Sequence, residues 1–205
     1  MSVGDDGRRT RGRAGVLMGS ASAIGDASET LRALLESNVG EEDLTVTLTS
    51  PDTVSGSSKP TLSLFLYRVT ESEHLSSVEW HERDVDTLEQ KPLVLDLEYL
   101  LTAYPSGSGN ATRQARRQQT LLGRAMQVLR EHAVVRGSAL KGSLESELRI
   151  SRSGTDGEIV DMWNTFPETA YLPSVSYTVG PVSIEPTAAV PADRVQRIGF
   201  GADDG

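Results

Sequence analysis

Apolar residues recur at the helical period of 3.6 in three parts of the chain. The first part predicts a helix over residues 23–39, with Ser22 as N-cap and Gly40 as the stop. The second predicts the longest helix, over residues 112–132, with arginines on the side opposite its apolar arc. The third predicts a short helix with one buried face. Its apolar positions are Ile159, Met162, Trp163 and Phe166.

Other parts of the chain alternate apolar and polar residues, which predicts strands. The last strand changes its apolar phase at Gly180-Pro181, and this change predicts a bulge that swaps the two faces. Residues 70–91 are polar and acidic, and they predict a long loop. The order of elements predicts an α/β (α+β) domain, a single mixed β-sheet packed by a few helices. Strands are expected near residues 44–48, 62–67, 92–104, 148–150 and 174–184.

The two ends of the chain lack apolar periodicity and are rich in charge, glycine or proline. We therefore expect a disordered tail over residues 1–17, a folded domain over residues 18–188 and a flexible tail over residues 189–205. No run of about 18 apolar residues occurs, so no membrane span is expected. The apolar run after the basic N-terminus is too short for a signal peptide, which favours a protein that is used without Sec export.

Composition removes several kinds of chemistry. The chain has no cysteine, so disulfides, thiolate catalysis and cysteine-bound metals are excluded. The three histidines, His74, His81 and His132, do not have the spacing of metal ligands, and we expect neither metal nor cofactor. The net charge of −9 argues against nucleic acid as a partner.

Three sequence features could indicate an enzyme, and each is incomplete. Residues 15–26 resemble the glycine-serine loop of the aminoimidazole-ribotide carboxylase mutase family, but the basic residues before Gly19-Ser20 cannot form the buried strand that such a loop follows. Residues 106–110 lack the Gly-Lys-Ser/Thr ending of a phosphate loop. No candidate nucleophile lies in a Gly-x-Ser-x-Gly elbow, so no catalytic residue is predicted. The serines considered are Ser63, Ser76 and Ser176.

The predicted long helix is unusually basic for an acidic chain. Residues 113–141 hold seven basic groups and one acid, Glu131. A solvated helix face is the simpler interpretation; the alternative is a docking face for an acidic partner, such as another copy of this chain. The acidic segment 79–90 is the expected counterpart, with Trp80 as an apolar contact. The candidate interface residues are Trp80, Glu82, Asp84, Asp86, Arg113, Arg116, Arg117 and Arg124.

Five segments together resemble one protein family. The segments are PTLSLFLYRVTESEHL (60–75), PLVLDLEYLLTAYPS (92–106), LLGRAMQVLREHAVVRGSAL (121–140), MWNTF (162–166) and YLPSVSYTVGPVSIE (171–185). In the same order and at similar spacing within residues 18–186, they resemble the cap-protein N-terminal domain family of extracellular contractile injection systems, which are phage-tail-like particles.

The resemblance implies a tail-terminator-like fold and a structural role without catalytic residues. The implied role is a cap subunit that closes the distal end of the sheath and inner tube. It implies a homo-oligomeric ring, expected to be a hexamer, with sheath and inner-tube proteins as partners. Assembly is expected in the cytoplasm, in a particle that is then released or stays cytosolic. The alternative is another structural subunit of the particle, in the baseplate or at the start of the tube.

Overall fold

A computed structural model of the chain describes residues 21–54, 58–72, 80–84, 87–90, 92–107, 110–144, 146–186 and 189–191. The described residues form three α-helices and nine strands. In chain order these are α1 (Ala23–Asn38), β1 (Thr45–Thr47), β2 (Thr61–Glu71), β3 (Trp80–Asp84), β4 (Thr87–Gln90), β5 (Leu93–Tyr104), α2 (Ala111–Glu131), β6 (Val134–Val135), β7 (Leu148–Ser153), α3 (Asp156–Trp163), β8 (Ser174–Ile184) and β9 (Ala189–Pro191).

The main sheet has six strands in the order β1-β2-β5-β8-β7-β6. Strand β1 runs parallel to β2, and the other neighbours are antiparallel. The predicted mixed sheet packed by a few helices is confirmed. Strand β5 lies at its centre, where Leu101 is paired with Leu64 on one side and with Val175 on the other.

Helices α1 and α2 cover one face of this sheet, which we call the helix face. Alternation along β5 directs Leu97, Tyr99 and Leu101 towards the two helices, and all three are fully buried. They join Leu31 and Leu35 of α1 in one hydrophobic core. The residues that α2 contributes are Leu121, Leu122, Ala125, Val128 and Leu129. The apolar arc predicted for the long helix is therefore confirmed.

The opposite face of the sheet is partly covered by α3 and by the segment that follows it. Phe65, which alternates with the core residues of β2, contacts Phe166 edge to face at 6.1 Å between ring centroids. Trp163 is only 5% exposed and lies outside the main core cluster. Its predicted burial is confirmed, and its indole Nε1 donates a hydrogen bond to Ser174 Oγ at 3.3 Å.

The predicted bulge in β8 is confirmed at Gly180-Pro181. The pairing of β5 with β8 passes from Leu97 and Val179 to Leu95 and Val182, so two residues of β8 face Asp96 alone. A Cβ atom at position 180 would overlap the Asp96 carboxylate, which explains why a glycine stands there.

The prediction of a long loop over residues 70–91 is wrong. Strand β2 continues to Glu71, and β3 and β4 form a hairpin whose strand β4 also pairs with β9. Strand β9 falls within the expected C-terminal tail, where pairing of Ala189 with Glu89 gives its backbone a partner. The rest of that tail, and the predicted tail over residues 1–17, lie outside the described residues.

Helix α1 starts where predicted, but Ser22 is not its side-chain cap. The Ser22 hydroxyl instead donates to Asp26 Oδ2 at 2.8 Å. The same oxygen accepts hydrogen bonds from the backbone N–H and hydroxyl of Ser143, at 2.9 and 2.8 Å. Asp26 thereby ties α1 to the turn before β7. Three donated hydrogen bonds, led by the Ser143 N–H, lower the pKa of its carboxyl.

Candidate functional site

The arginines of α2 are directed outwards because the helix buries its other side in the core. Asn110 caps the first turn, its Oδ1 accepting a hydrogen bond from the Arg113 backbone N–H at 2.9 Å. The five arginines of α2 are all exposed. They are Arg113, Arg116, Arg117, Arg124 and Arg130.

Four of these arginines line one open cleft of about 420 Å³, which we call the arginine cleft. They are the four that the sequence indicated: Arg113, Arg116, Arg117 and Arg124. Pro60, Pro105 and the buried Leu121 add apolar surface to the cleft. The methylene stems of the arginine side chains are themselves apolar, so the cleft combines apolar walls with charged guanidinium groups.

The charges of the arginine cleft are only partly compensated within the subunit. Arg124 forms an ion pair with Glu41, which also lines the cleft. Arg117 Nη1 donates to the Ser106 carbonyl at 3.2 Å. The side chains of Arg113 and Arg116 make no hydrogen bond or ion pair with any residue that the structure describes. Within the described part of the subunit, these two guanidinium groups therefore have no partner of their own.

The predicted acidic counterpart lies in a different part of the molecule. Trp80, Glu82 and Asp84 belong to β3, in the three-stranded sheet, and Asp86 lies outside the described residues. None of the described residues that line the arginine cleft comes from β3 or β4. The pairing of this hairpin with the cleft of a neighbouring copy stays a prediction.

A second surface was not predicted as a site. Val160, Trp163, Phe166, Pro167 and Tyr171 line a shallow depression of about 550 Å³, which we call the aromatic patch. Its aromatic rings contact each other edge to face, with 5.5 Å between the ring centroids of Trp163 and Tyr171. Tyr171 is 57% exposed and Val160 is 48% exposed. Sequence patterning identified the buried Trp163 but could not tell which of its aromatic neighbours would face solvent.

A polar cluster on the same face of the sheet holds α3 in place. Glu98, whose side chain is 12% exposed, accepts hydrogen bonds from the Tyr67 hydroxyl at 2.8 Å and from Arg68 Nη2 at 2.6 Å. Arg68 also lies 3.5 Å from Glu158 in the first turn of α3. Glu158 completes a capping box with Thr155. Arg68 therefore links the centre of the sheet to the start of α3.

Hydrogen bonds and burial shift the pKa values of the side chains in this cluster. The hydrogen bond to Glu98 raises the pKa of Arg68. Burial raises the pKa of Tyr67, while its contact with Ser176 acts in the other direction. The Thr155 backbone N–H lowers the pKa of Glu158. Each shift favours the charge state that keeps the cluster paired.

The residues considered for catalysis have structural contacts or lie outside the described part. Ser63 donates to the Thr49 carbonyl at 2.8 Å, and Ser176 bonds to Tyr67 at 2.8 Å. His132 closes α2, with its Nδ1 2.9 Å from the Val128 carbonyl. Gly19-Ser20, His74 and Ser76 lie outside the described residues. Within the described ranges no cluster of His, Asp and Glu could hold a metal ion.

None of the helices that the structure describes combines the length and apolar composition needed to cross a bilayer.

The fold resembles two solved terminators of contractile particles. The sheath/tube terminator of an extracellular contractile injection system, PVC, in its extended state, has a TM-score of 0.61 at 16% identity, covering 89% of this chain and 64% of that one. The tube-terminating cap of the anti-feeding prophage, AFP, has a TM-score of 0.56 at 14% identity, covering 92% of this chain and 62% of that one. This chain thus corresponds to less than two thirds of either terminator.

No curated protein matches the sequence. The profile of one domain family, however, matches residues 26–197, which includes all three helices apart from the first turn of α1 and every described strand. The sequence resemblance to cap proteins and the tail-terminator-like fold are both confirmed. The chain belongs to the Pvc16 N-terminal domain family.

Proposed function

We propose that this protein is a structural cap subunit that closes the distal end of the sheath and inner tube of a contractile injection particle. The observation that carries the proposal is the family match over residues 26–197, in a fold shared with two terminators. The same match favours a terminator over a baseplate or tube-initiating subunit.

We propose a non-enzymatic role, which the contacts of the described polar residues support. The buried polar side chains on the sheet are hydrogen-bonded to one another or to the backbone, as in Thr102 with Ser174 at 2.8 Å. No buried side-chain nitrogen or oxygen of the described residues lacks a hydrogen-bond partner. A catalytic centre usually keeps polar groups that are positioned for a substrate, and these groups do not spend all their hydrogen bonds on the fold.

The proposed partners are further copies of this chain, in a ring expected to be a hexamer, and the sheath and inner-tube proteins. The arginine cleft supports a contact surface, because Arg113 and Arg116 carry charge without a partner among the described residues. The ring would assemble in the cytoplasm and remain in a particle that is released or stays cytosolic.

Locating the subunit on the particle tests the proposed role. Particles are assembled with a tagged copy of the chain, and gold-labelled tags are imaged by electron microscopy. We expect label at one end only, opposite the baseplate, and tubes of uncontrolled length when the chain is omitted. Label at the baseplate end would indicate the alternative subunit, and particles of normal length and ends without the chain would contradict a cap.

A further inference from the structure

The segments that carry the arginine cleft and the aromatic patch have opposite charge, although the residues that line the patch are themselves uncharged. Residues 110–130 contain five arginines and no acidic residue. Residues 153–173, which include α3 and Tyr171, contain four acidic residues and no basic one. Asp161 and Glu168 are both exposed, and neither forms an ion pair with a residue that the structure describes. Each of the two segments thus carries charge that no described residue compensates, and the two charges have opposite sign.

The two surfaces lie on opposite faces of the same sheet. Helix α2 packs on the helix face through Leu121 and Leu129, whereas Trp163 and Phe166 lie on the other face with Ser174 and Phe65. One subunit therefore cannot bring its own patch to its own cleft. Two different surfaces that complement each other across a molecule produce head-to-tail contacts, which close into a ring when the rotation between copies allows it.

The chemistry of the surfaces matches beyond charge. Arg113 and Arg116 present planar guanidinium groups that have no partner among the described residues, and such groups stack on aromatic faces as well as pair with carboxylates. Tyr171 presents an exposed ring held against Trp163, and Val160 beside it adds apolar area. Tyrosine and arginine are both enriched among the residues that dominate binding at protein interfaces.

We propose that the aromatic patch of one subunit docks in the arginine cleft of the next copy of this chain. This proposal rests on the ring proposed above and names its two contact surfaces. Tyr171 supplies the aromatic anchor, and Asp161 and Glu168 pair with Arg113 and Arg116. In this proposal the patch takes the place of strand β3, which the sequence indicated, as the partner of the cleft.

A charge-swap experiment on the full chain tests the pairing by sedimentation velocity. The cleft variant is Arg113→Glu/Arg116→Glu, and the patch variant is Asp161→Arg/Glu168→Arg. Each alone should raise the concentration needed for self-association at least about tenfold relative to wild type. An equal mixture should self-associate again, because each variant offers the surface that complements the other.

Matched single variants separate the cleft from general charge and the aromatic ring from folding. Arg116→Glu should weaken association several-fold more than Arg130→Glu, which reverses an exposed charge on the same helix away from the cleft lining. Tyr171→Ala should weaken association, while Tyr171→Phe should keep it. The melting temperature should be unchanged in Tyr171→Phe, which keeps the ring contact with Trp163, and only slightly lowered in Tyr171→Ala, because the side chain is mostly exposed.

Three results would overturn the pairing: a mixture that stays as dissociated as its components, a wild type that remains monomeric at high concentration, or rescue of the cleft variant by Glu82→Arg/Asp84→Arg instead of by the patch variant. The position of gold label on particles is read independently. A chain found at the distal end that fails the swap test would keep the cap role and lose only these contact surfaces.

Discussion

The helix face of the sheet is filled mainly with aliphatic side chains, whereas the face beneath α3 carries a connected set of hydroxyl, carboxylate and guanidinium groups. On the helix face, Leu97, Leu101 and their neighbours in α1 and α2 make apolar contacts, which do not depend on direction. On the other face, Tyr67, Glu98 and Arg68 form bonds of defined geometry. Apolar packing contributes most of the stability, because it scales with buried area. Directional bonds contribute less but fix the position of α3 and of the aromatic patch.

The largest expected effect is on the helix face. Leu97→Ala should lower the free energy of unfolding by about 4 kcal/mol, because Leu97 is fully buried at the centre of the sheet and its neighbours cannot collapse into the cavity. Leu93→Ala, in the same strand but 44% exposed, should cost less than about 0.5 kcal/mol. Urea unfolding measures both. Equal losses for the two variants would mean that the helix face does not dominate the stability.

The second prediction concerns the largest side chain on the other face. Trp163→Ala should cost about 3 kcal/mol, less than Leu97→Ala, because the site opens towards exposed Val160 and Tyr171 and can relax. Trp163→Phe keeps most of the apolar area and loses the hydrogen bond to Ser174, so it should cost about 1 kcal/mol. Thermal unfolding of both variants is the measurement. Unchanged stability in Trp163→Ala with loss of self-association would instead make Trp163 a contact residue.

Two glycines test the polar joint between α1 and the turn before β7. Gly142 and Gly137 have nearly the same positive φ, 59° and 58°. A Cβ atom at position 142 would overlap the Asp26 carboxylate, whereas one at position 137 would meet nothing within 4 Å. Gly137→Ala should therefore cost about 1 kcal/mol for the backbone alone, and Gly142→Ala about 2–3 kcal/mol. Similar losses by urea unfolding would show that Asp26 moves aside freely.

The helix face was the part of the fold that sequence patterning could predict, because burying one side of a helix or strand spaces its apolar residues regularly along the sequence. The arc of α2, the strands β2, β5 and β8 and the phase change at Gly180-Pro181 all follow from it. The hairpin β3–β4 has no such regular spacing, since Trp80 and Leu88 are the only apolar residues of its two strands. Strand β4 also pairs with a strand about 100 residues away in the chain. Local reasoning cannot find pairing of that kind.

The candidate site was predictable only in its helical half. Arg113, Arg116, Arg117 and Arg124 follow from helical spacing. Glu41, Pro60 and Pro105 complete the cleft from three separate connections, and only the tertiary fold brings them there. For the same reason no pattern indicated that Tyr171 would be exposed beside the buried Trp163.

A smaller effect should distinguish the hydroxyl groups of the two faces. Tyr99 on the helix face bonds to Ser28 at 2.8 Å, and burial raises the pKa of Tyr99 to about 12. Tyr99→Phe does not leave the Ser28 hydroxyl without a hydrogen bond, because that hydroxyl still donates to the Ile24 carbonyl. Tyr67→Phe removes a donor from the mostly buried Glu98. We expect losses below about 1 kcal/mol for Tyr99→Phe and about 1–2 kcal/mol for Tyr67→Phe, measured by thermal unfolding. The reverse order would contradict the importance of the polar cluster.

The smallest effect is a pH dependence carried by Asp26. The hydrogen bonds from Ser143 and Ser22 lower its pKa in the folded protein below the ordinary value of 3.8. A lowered folded pKa means that the unfolded chain takes up the proton first, so the contribution to stability is complete well above pH 3.8 and is lost as the pH falls through the folded pKa.

Asp26→Asn should therefore flatten the stability profile in the acid range, between about pH 5 and pH 2. The exposed Glu42→Gln, which removes a carboxylate without a described partner, should leave that slope unchanged. Urea unfolding across this pH range measures the slopes. Identical slopes for Asp26→Asn and wild type would show that the joint between α1 and the turn at Ser143 does not depend on the charge of Asp26.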